Sequence, residues 1–414
     1  MPFHALKLSA PLVRAATDLG MALPTAIQQQ AIPAILAGHD VRGCAPTGSG
    51  KTAAYVLPLL QRLQGQPVTR PRRPAVLVLV PTRELATQVG DVLHLLGQHL
   101  PHAPKIAVAF GGVSINPQLM HLRGGADVLV ATPGRLLDLL DHNALQLQWL
   151  RTLVLDEADR LLDLGFAEEL ARVLAQLPAQ RQNLFFSATF APAVQTLAQT
   201  LLHDPVCIDI AAPDTVAPLT VQRTIAVDAV RRTMLLRQMI KDNGWSRVLV
   251  FVATKYATEL VAEKLYRAGI FATAFHGDLS QGARTQVLQE FKDERWEVVV
   301  TTDLAARGLD IAQLPVVVNY DLPRASTDYV HRIGRTGRAG APGLAISFVS
   351  ADTESHMRLI ERRQKMELAR EIIPGYEPTQ TAPMDHASVP GTGGIKGKRP
   401  SKKDKLRAAA ARTP

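Results

Sequence analysis

Cysteine is nearly absent from this chain: among 414 residues only Cys44 and Cys207 occur. Two thiols cannot build a disulfide framework, and these two lack the paired spacing of a structural zinc site. Both are expected to be small core residues in a reducing compartment. Long uncharged apolar runs are also missing, which argues against a helical membrane span. The opening Met1-Pro-Phe-His-Ala-Leu-Lys7 has neither the basic start nor the continuous apolar stretch of a secretory leader, so a cytoplasmic location is the expectation. Aromatic residues are scarce at 5%, whereas hydrophobic residues reach 47%, so the cores must be largely aliphatic. At this length two or more domains, each burying its own core, are expected.

Acidic charge is the scarcer sign. Lys and Arg number 46 against 37 Asp and Glu, a formal net charge of +9. The surplus is uneven. In residues 374–414, Lys396, Lys398, Arg399, Lys402, Lys403, Lys405, Arg407 and Arg412 oppose only Glu377, Asp385 and Asp404, a net of +5. A basic tail on a modestly basic body points to a polyanionic partner. That stretch loses apolar periodicity and becomes rich in Pro, Gly, Lys and Arg, so 374–414 is expected to be a disordered tail.

Upstream, short apolar runs alternate with stretches of helical spacing, the pattern of parallel strands joined by crossover helices. In the first half the runs fall at 75–80, 127–130, 152–155 and 183–186. In the second they fall at 247–252, 271–275, 297–300, 316–319 and 344–348. Between the halves, 211–218 is Pro-rich and unpatterned and reads as a linker. The expected fold is therefore α/β in two lobes, 1–210 and 219–373, each a parallel sheet flanked by helices. Polar clusters follow the runs: Pro81-Thr-Arg-Glu, Ala131-Thr-Pro-Gly-Arg, Asp156-Glu-Ala-Asp, Ser187-Ala-Thr, His276-Gly-Asp and Thr301-Thr-Asp. Ligands of open parallel sheets bind at the carboxyl ends of the strands, so each lobe should present one functional edge, and two facing edges make a cleft.

Ala45-Pro-Thr-Gly-Ser-Gly-Lys-Thr52 has the form of a phosphate loop. Gly48 and Gly50 let backbone N–H groups of Thr47, Ser49 and their neighbours wrap phosphate oxygens at a helix N-terminus. Lys51 is placed for the outer phosphates and Thr52 for Mg²⁺. Ala45 stands where the general signature has glycine. A second element complements the loop. The apolar run 152–155 ends in Asp156, positioned to hold Mg²⁺, and Glu157, positioned to orient or deprotonate an attacking water. Phosphoryl transfer also needs positive charge at the γ-phosphate. His331-Arg-Ile-Gly-Arg335-Thr-Gly-Arg338 in the second half offers it, with Arg335 and Arg338 as expected arginine fingers.

Taken together, these residues resemble the DEAD-box family of RNA helicases from about Phe3 to the mid-350s. The resemblance implies two tandem RecA-like domains, ATP and Mg²⁺ as cofactors, and RNA as partner. Phe3, Gly20, Pro24-Thr25 and Gln28 resemble the segment that reads adenine. Ala45 is what this family carries at the start of its loop. Asp159 belongs to the namesake motif, and with Ser187, Thr189 and His331 it is implied to couple hydrolysis to strand separation. RNA backbone contacts are implied at Pro81, Thr82, Arg83, Gly111, Gly112, Thr132, Pro133, Gly134 and Arg135, then at Gln281, Arg284, Thr302 and Asp303. Asp310 resembles the ATP-side carboxylate of the second lobe. Met21 stands where relatives carry an aromatic residue stacked on adenine, which implies weaker stacking. The wording of His276 to Arg284 is most similar to the bacterial RhlE-like branch. A monomer is expected, with ribosome-assembly or RNA-decay proteins as candidate partners. An ATP-dependent RNA clamp, or a DNA or RNA translocase of a related helicase branch, stays open as an alternative.

Overall fold

The aliphatic runs form strands because residues with both faces covered by helices gain from burial on each side. The computed structural model describes residues 2–46, 48–65, 70–210, 220–306, 314–337 and 342–380. In the first lobe the strands are β1 Val41–Cys44, β2 Val76–Leu79, β3 Ile106–Ala109, β4 Val128–Ala131, β5 Thr152–Leu155, β6 Gln182–Ser187 and β7 Val206–Asp209. In the second they are β8 Thr220–Ala226, β9 Val248–Phe251, β10 Ala272–Phe275, β11 Val298–Thr301, β12 Val316–Asn319, β13 Gly343–Val349 and β14 Arg370–Glu371.

The sheets run β3-β4-β2-β5-β6-β1-β7 and β10-β11-β9-β12-β13-β8-β14, and their pairings are parallel. Counting strands within each lobe, both orders are third, fourth, second, fifth, sixth, first, seventh. The lobes are thus two tandem RecA-like units with the same wiring. The repetition reaches single residues. After β2, Thr82 caps the helix Arg83–Gly97 at φ −132° and ψ 156°, and its hydroxyl accepts the Leu85 N–H. After β9, Thr254 caps Lys255–Arg267 at φ −135° and ψ 156°, accepting the Ala257 N–H. A cap of this kind stabilises a helix by about 1 kcal/mol.

Each sheet is covered on both faces. In the first lobe Val76, Val78, Val130 and Val154 face the side formed by the helices Ala26–Leu36, Lys51–Gln64 and Arg83–Gly97. Leu77, Leu79, Leu153 and Leu155 face the side of Pro133–Asp141 and Ala167–Leu174. The alternation of one β-strand between two apolar layers is the two-residue side-chain period at work.

Two expectations change here. Cys44 ends β1 only partly buried, and Cys207 is exposed because β7 is an edge strand whose residues mostly face outward. Packing also continues past 374: Tyr376 is buried in the second core, Arg231 lies 5.1 Å from its ring centroid, and Asp228 accepts from the Thr379 N–H and hydroxyl. An aromatic anchor of that size holds the chain against the lobe. The linker 211–218 and tail residues 381–414 lie outside the described residues.

Candidate functional site

The phosphate loop leaves β1 and turns into the helix Lys51–Gln64, whose N-cap, Gly50, has φ +90°. Only glycine adopts that backbone without strain. Gly50 is doubly required, because a Cβ there would lie 2.5 Å from Nε2 of Gln28. That amide donates to the Gly50 carbonyl at 3.1 Å, while its Oε1 accepts the Thr25 N–H at 3.0 Å. The expected adenine-reading residue is therefore tied to the phosphate loop. Phe3 is buried in the first core, and Met21 packs against the same cluster. The loop's root is fixed to β6 by the Ala45 N–H on the Ser187 carbonyl, at 3.1 Å.

Two features mark the loop as a cradle for an anion. The Ser49 hydroxyl is buried with no partner among the described residues. Lys51 is buried and donates to the Ala45 carbonyl at 2.6 Å, so its ammonium closes on the loop itself. A buried charge and an orphaned hydroxyl aimed at one turn are satisfied by phosphate oxygens. Thr47 lies outside the described residues.

Asp156 follows β5 and is buried; its Oδ2 accepts the Tyr55 hydroxyl at 2.8 Å and its Oδ1 accepts the Glu157 N–H at 2.9 Å. Burial pushes its carboxyl up, against the pull of Lys51. Glu157 sits in the left-handed region at φ +50°, a strained position for a non-glycine residue, and such strain gathers at functional sites. Burial and the charge of Asp156 push its carboxyl up as well, while Lys51, Arg335 and Arg160 draw it down. Arg335, which belongs to the second lobe, thus lies near enough to Glu157 of the first to favour its charged form. Arg338 and Asp310 lie outside the described residues.

The namesake motif is locked to the turn after β6. Asp159 accepts the Thr189 N–H at 3.0 Å and its hydroxyl at 2.9 Å, Ser187 Oγ accepts the Asp159 N–H, and the Ser187 hydroxyl donates to the Thr189 carbonyl at 2.7 Å. One residue further on, Arg160 crosses to the second lobe. It pairs with Asp328 at 3.2 Å and meets Nδ1 of His331. Residues 331–333, which open the arginine-rich segment, complete the helix Ser326–Ile333. Arg332, on that helix, is buried on Asp303, Asn319 and the Asp321 carbonyl.

The residues expected to meet a nucleic-acid backbone line the same edges. Thr82 and Thr132 cap the helices Arg83–Gly97 and Pro133–Asp141, Ser280 caps Gln281–Lys292, and Asp303 begins Asp303–Ala306. Helix N-termini carry partial positive charge and free N–H groups, which suit phosphates without reading sequence. The structure brings Arg83 against Gly112, whose φ of +78° and close guanidinium leave no space for a side chain. Arg135 donates to the Val113 carbonyl at 2.7 Å and so props the Gly111-Gly112 turn; its Nη1 is buried with no partner among the described residues, as is Oε1 of Gln281. Pro81 is buried at the end of β2, and Pro133 and Gly134 form the first turn after Thr132. Thr302 caps its own short helix by accepting the Ala305 N–H.

Two of these residues are engaged otherwise. The Arg284 guanidinium holds Glu84 of the first lobe at 2.7 Å, with side-chain exposures of 4% and 8%, and the Asp303 carboxylate holds Arg332. Both are occupied by partners already inside the protein. Tyr55, Arg160 and Glu84 were missed by sequence reasoning. Tyr55 stands one helical turn beyond Thr52, Arg160 directly follows the carboxylate motif, and Glu84 ends the Pro81-Thr-Arg-Glu cluster, so each had a positional signal.

Comparison with known proteins adds to this geometry. A family model described as DEAD/DEAH box helicase matches residues 25–197, and one described as helicase conserved C-terminal domain matches 231–340. The chain is 41% identical over 379 residues to ATP-dependent RNA helicase DeaD of Mycobacterium tuberculosis H37Rv, spanning 92% of this chain and 66% of that relative. It is 41% identical over 375 residues to ATP-dependent RNA helicase DeaD of Escherichia coli K12, spanning 91% of this chain and 59% of the relative. Among solved structures, Saccharomyces cerevisiae Dbp5 bound to RNA and ADP BeF3 superposes with a TM-score of 0.78 at 30% identity, over 89% of this chain and 95% of that one. A DEAD box protein from Methanococcus jannaschii gives 0.52 at 34% identity, over 90% and 99%.

Proposed function

The chain belongs to the DEAD-box helicase family, and from that premise we propose that it is an ATP-dependent RNA helicase: it hydrolyses ATP on binding RNA, and so unwinds short duplexes or remodels RNA and RNA–protein complexes. The observation that carries this reading is the pair of buried ion pairs that join the lobes beside the carboxylate motif and the nucleic-acid edge, Arg160 with Asp328 at 3.2 Å and Arg284 with Glu84 at 2.7 Å. Hydrolysis then needs both lobes together, and a strand lying along both edges brings them together.

The residues present fit Mg²⁺ and ATP, given the orphaned Ser49 hydroxyl, the side-chain-free Gly50 and the buried Asp156, whose partner Tyr55 also bonds Thr52. Mg²⁺ held by Thr52 and Asp156 supplies charge neutralisation for the phosphates. Lys51 leaves the Ala45 carbonyl for the outer phosphates. Glu157 orients a water and takes its proton as that oxygen bonds to the γ-phosphorus. The bond to the ADP oxygen breaks, and Arg335 and Arg338 offset the charge on the transferring group, yielding ADP and phosphate. Phe3 and Gln28 serve the adenine side and Asp310 the ATP from the second lobe.

RNA backbone lies on the helix N-termini at Thr82, Thr132, Gln281 and Thr302, with Arg83 and Arg135 as cationic partners. Contacts of this type read a polyribonucleotide without sequence preference. Asp159, Ser187, Thr189 and His331 couple the two events. The basic tail adds electrostatic attraction for RNA. Work in the cytoplasm as a monomer, and placement in the RhlE-like branch by the wording of 276–284, complete the reading; the relatives compared above carry the name DeaD instead. Turnover measured without nucleic acid, with RNA and with DNA of matched sequence tests it. RNA is expected to stimulate hydrolysis well above DNA, and equal rates in all three sink the proposal.

A further inference from the structure

A cleft of about 440 Å³ opens at the opposite end of the first sheet, where strands begin. Among its walls, Ala75 immediately precedes β2, Asp127 precedes β4 and Arg151 precedes β5. The cleft therefore stands at least a strand's length from the hydrolytic edge, about 13 Å for four residues. Its volume falls in the range of small-molecule sites, roughly 300 to 1,000 Å³.

Its chemistry is specific. Arg72 pairs with Asp127, whose Oδ2 also accepts the Lys105 N–H at 2.7 Å. Arg73 and Arg151, which also line it, make no ion pair among the described residues. Burial, then the charge of Arg151, lowers the pKa of the neighbouring Arg62. Trp149 is 46% exposed although Leu147 and Leu150 beside it are buried, which fixes the indole outward. The Arg73 guanidinium stacks on it, 4.2 Å from the centroid. Nε2 of Gln64, another wall residue, is buried with no acceptor among the described residues.

Unpaired guanidinium groups fit a phosphate, a fixed indole fits the flat face of a base, and an orphaned amide donor fits a base carbonyl. An acidic peptide accounts for the charge but not for the presented ring. We propose that this cleft binds one nucleotide unit, its phosphate on Arg73 and Arg151 and its base on Trp149, as a second nucleic-acid site remote from the crevice between the lobes. The proposal rests on RNA being the partner, and it extends the path of a long strand around the first lobe.

The test compares the emission of the full chain with that of Trp149→Phe, which isolates the Trp149 signal. Probes are uridine 5′-monophosphate, a short oligouridylate that fills only the crevice, and a long oligouridylate. The long strand is expected to quench Trp149. Arg73→Glu and Arg151→Glu should each weaken long-strand binding by about fivefold or more, the scale of one stacked and charge-paired unit, with short-strand stimulation of ATP turnover unchanged. Quenching by the mononucleotide as well assigns the site to free nucleotide, and quenching by the long strand alone assigns it to RNA. An unchanged signal with the mononucleotide and the long strand alike, or equal quenching by polyglutamate, overturns the inference. Turnover that ignores the short strand counts instead against the helicase reading.

Discussion

Arg160 and Asp328 form an ion pair between the lobes at 3.2 Å, with side-chain exposures of only 11% and 15%. The arginine directly follows Asp159, and His331 meets the same guanidinium. The contact between the lobes is thereby tied to the motif proposed to hold the reacting groups.

Arg160→Ala is expected to disfavour the closed arrangement strongly. Removing one partner of a buried pair costs about 3 kcal/mol or more, which is roughly a hundredfold in population. The RNA concentration for half-maximal ATP turnover should rise accordingly. Energy transfer between dyes on the two lobes provides the check, and a double-mutant cycle with Asp328→Ala separates the pair from each residue alone.

Arg335→Ala should reduce turnover by about a thousandfold, the low end for an arginine finger. Binding of a fluorescent ATP analogue is expected to stay within a few-fold of the unaltered chain, since the phosphate loop is untouched. Near-normal turnover would refute a site shared between the lobes.

Tyr55→Phe keeps the ring contact with Phe186 but removes the hydroxyl that Asp156 accepts. Groups that orient a metal-binding carboxylate are worth roughly 10- to 100-fold in metal affinity or activity. Titrating Mg²⁺ against turnover should show the requirement for the ion rising on that scale, while circular dichroism stays unchanged.

Acidification should stop turnover at a pH above the ordinary carboxylate range. Burial raises both Asp156 and Glu157, so each takes up its proton earlier on the way down. The sign for stability is opposite to that of a salt-bridged carboxylate. A raised native pKa means the folded state holds the proton more tightly than the unfolded one, so the associated stability is present in acid and lost as pH climbs through the raised value. Glu157→Gln, which removes that titration, should therefore match or exceed the unaltered melting temperature at neutral pH, while turnover falls by about a hundredfold. Melting curves at several pH values check the first part and rate measurements the second.

Much of the architecture was legible where strands are wholly buried. Val-Leu-Val-Leu in β2 and Thr-Leu-Val-Leu in β5 announce themselves because both of their faces need apolar cover. β1, Val-Arg-Gly-Cys, was not legible, since Arg42 and Gly43 break the run; Gly43 is there because Phe186 occupies the space of a side chain. The half-exposed β7 and the mixed β8 were silent for a related reason, as edge and near-edge strands carry polar residues. The candidate hydrolytic residues stood out because phosphate chemistry calls for particular residue types at particular spacings. The positions of Glu84 and Arg160 beside those motifs were visible, but their partners were not, because these lie in a lobe more than 100 residues further along the chain.

Gln28 touches the Gly50 carbonyl, and the absence of a side chain at position 50 is what permits it. The consequence is mechanical. On the function proposed above, whatever displaces the amide also pulls on the loop between β1 and the helix Lys51–Gln64, which couples choice of nucleotide to the rate of its turnover. An engineer wishing to feed this protein a guanine nucleotide would, on that reading, have to retune the loop along with the glutamine.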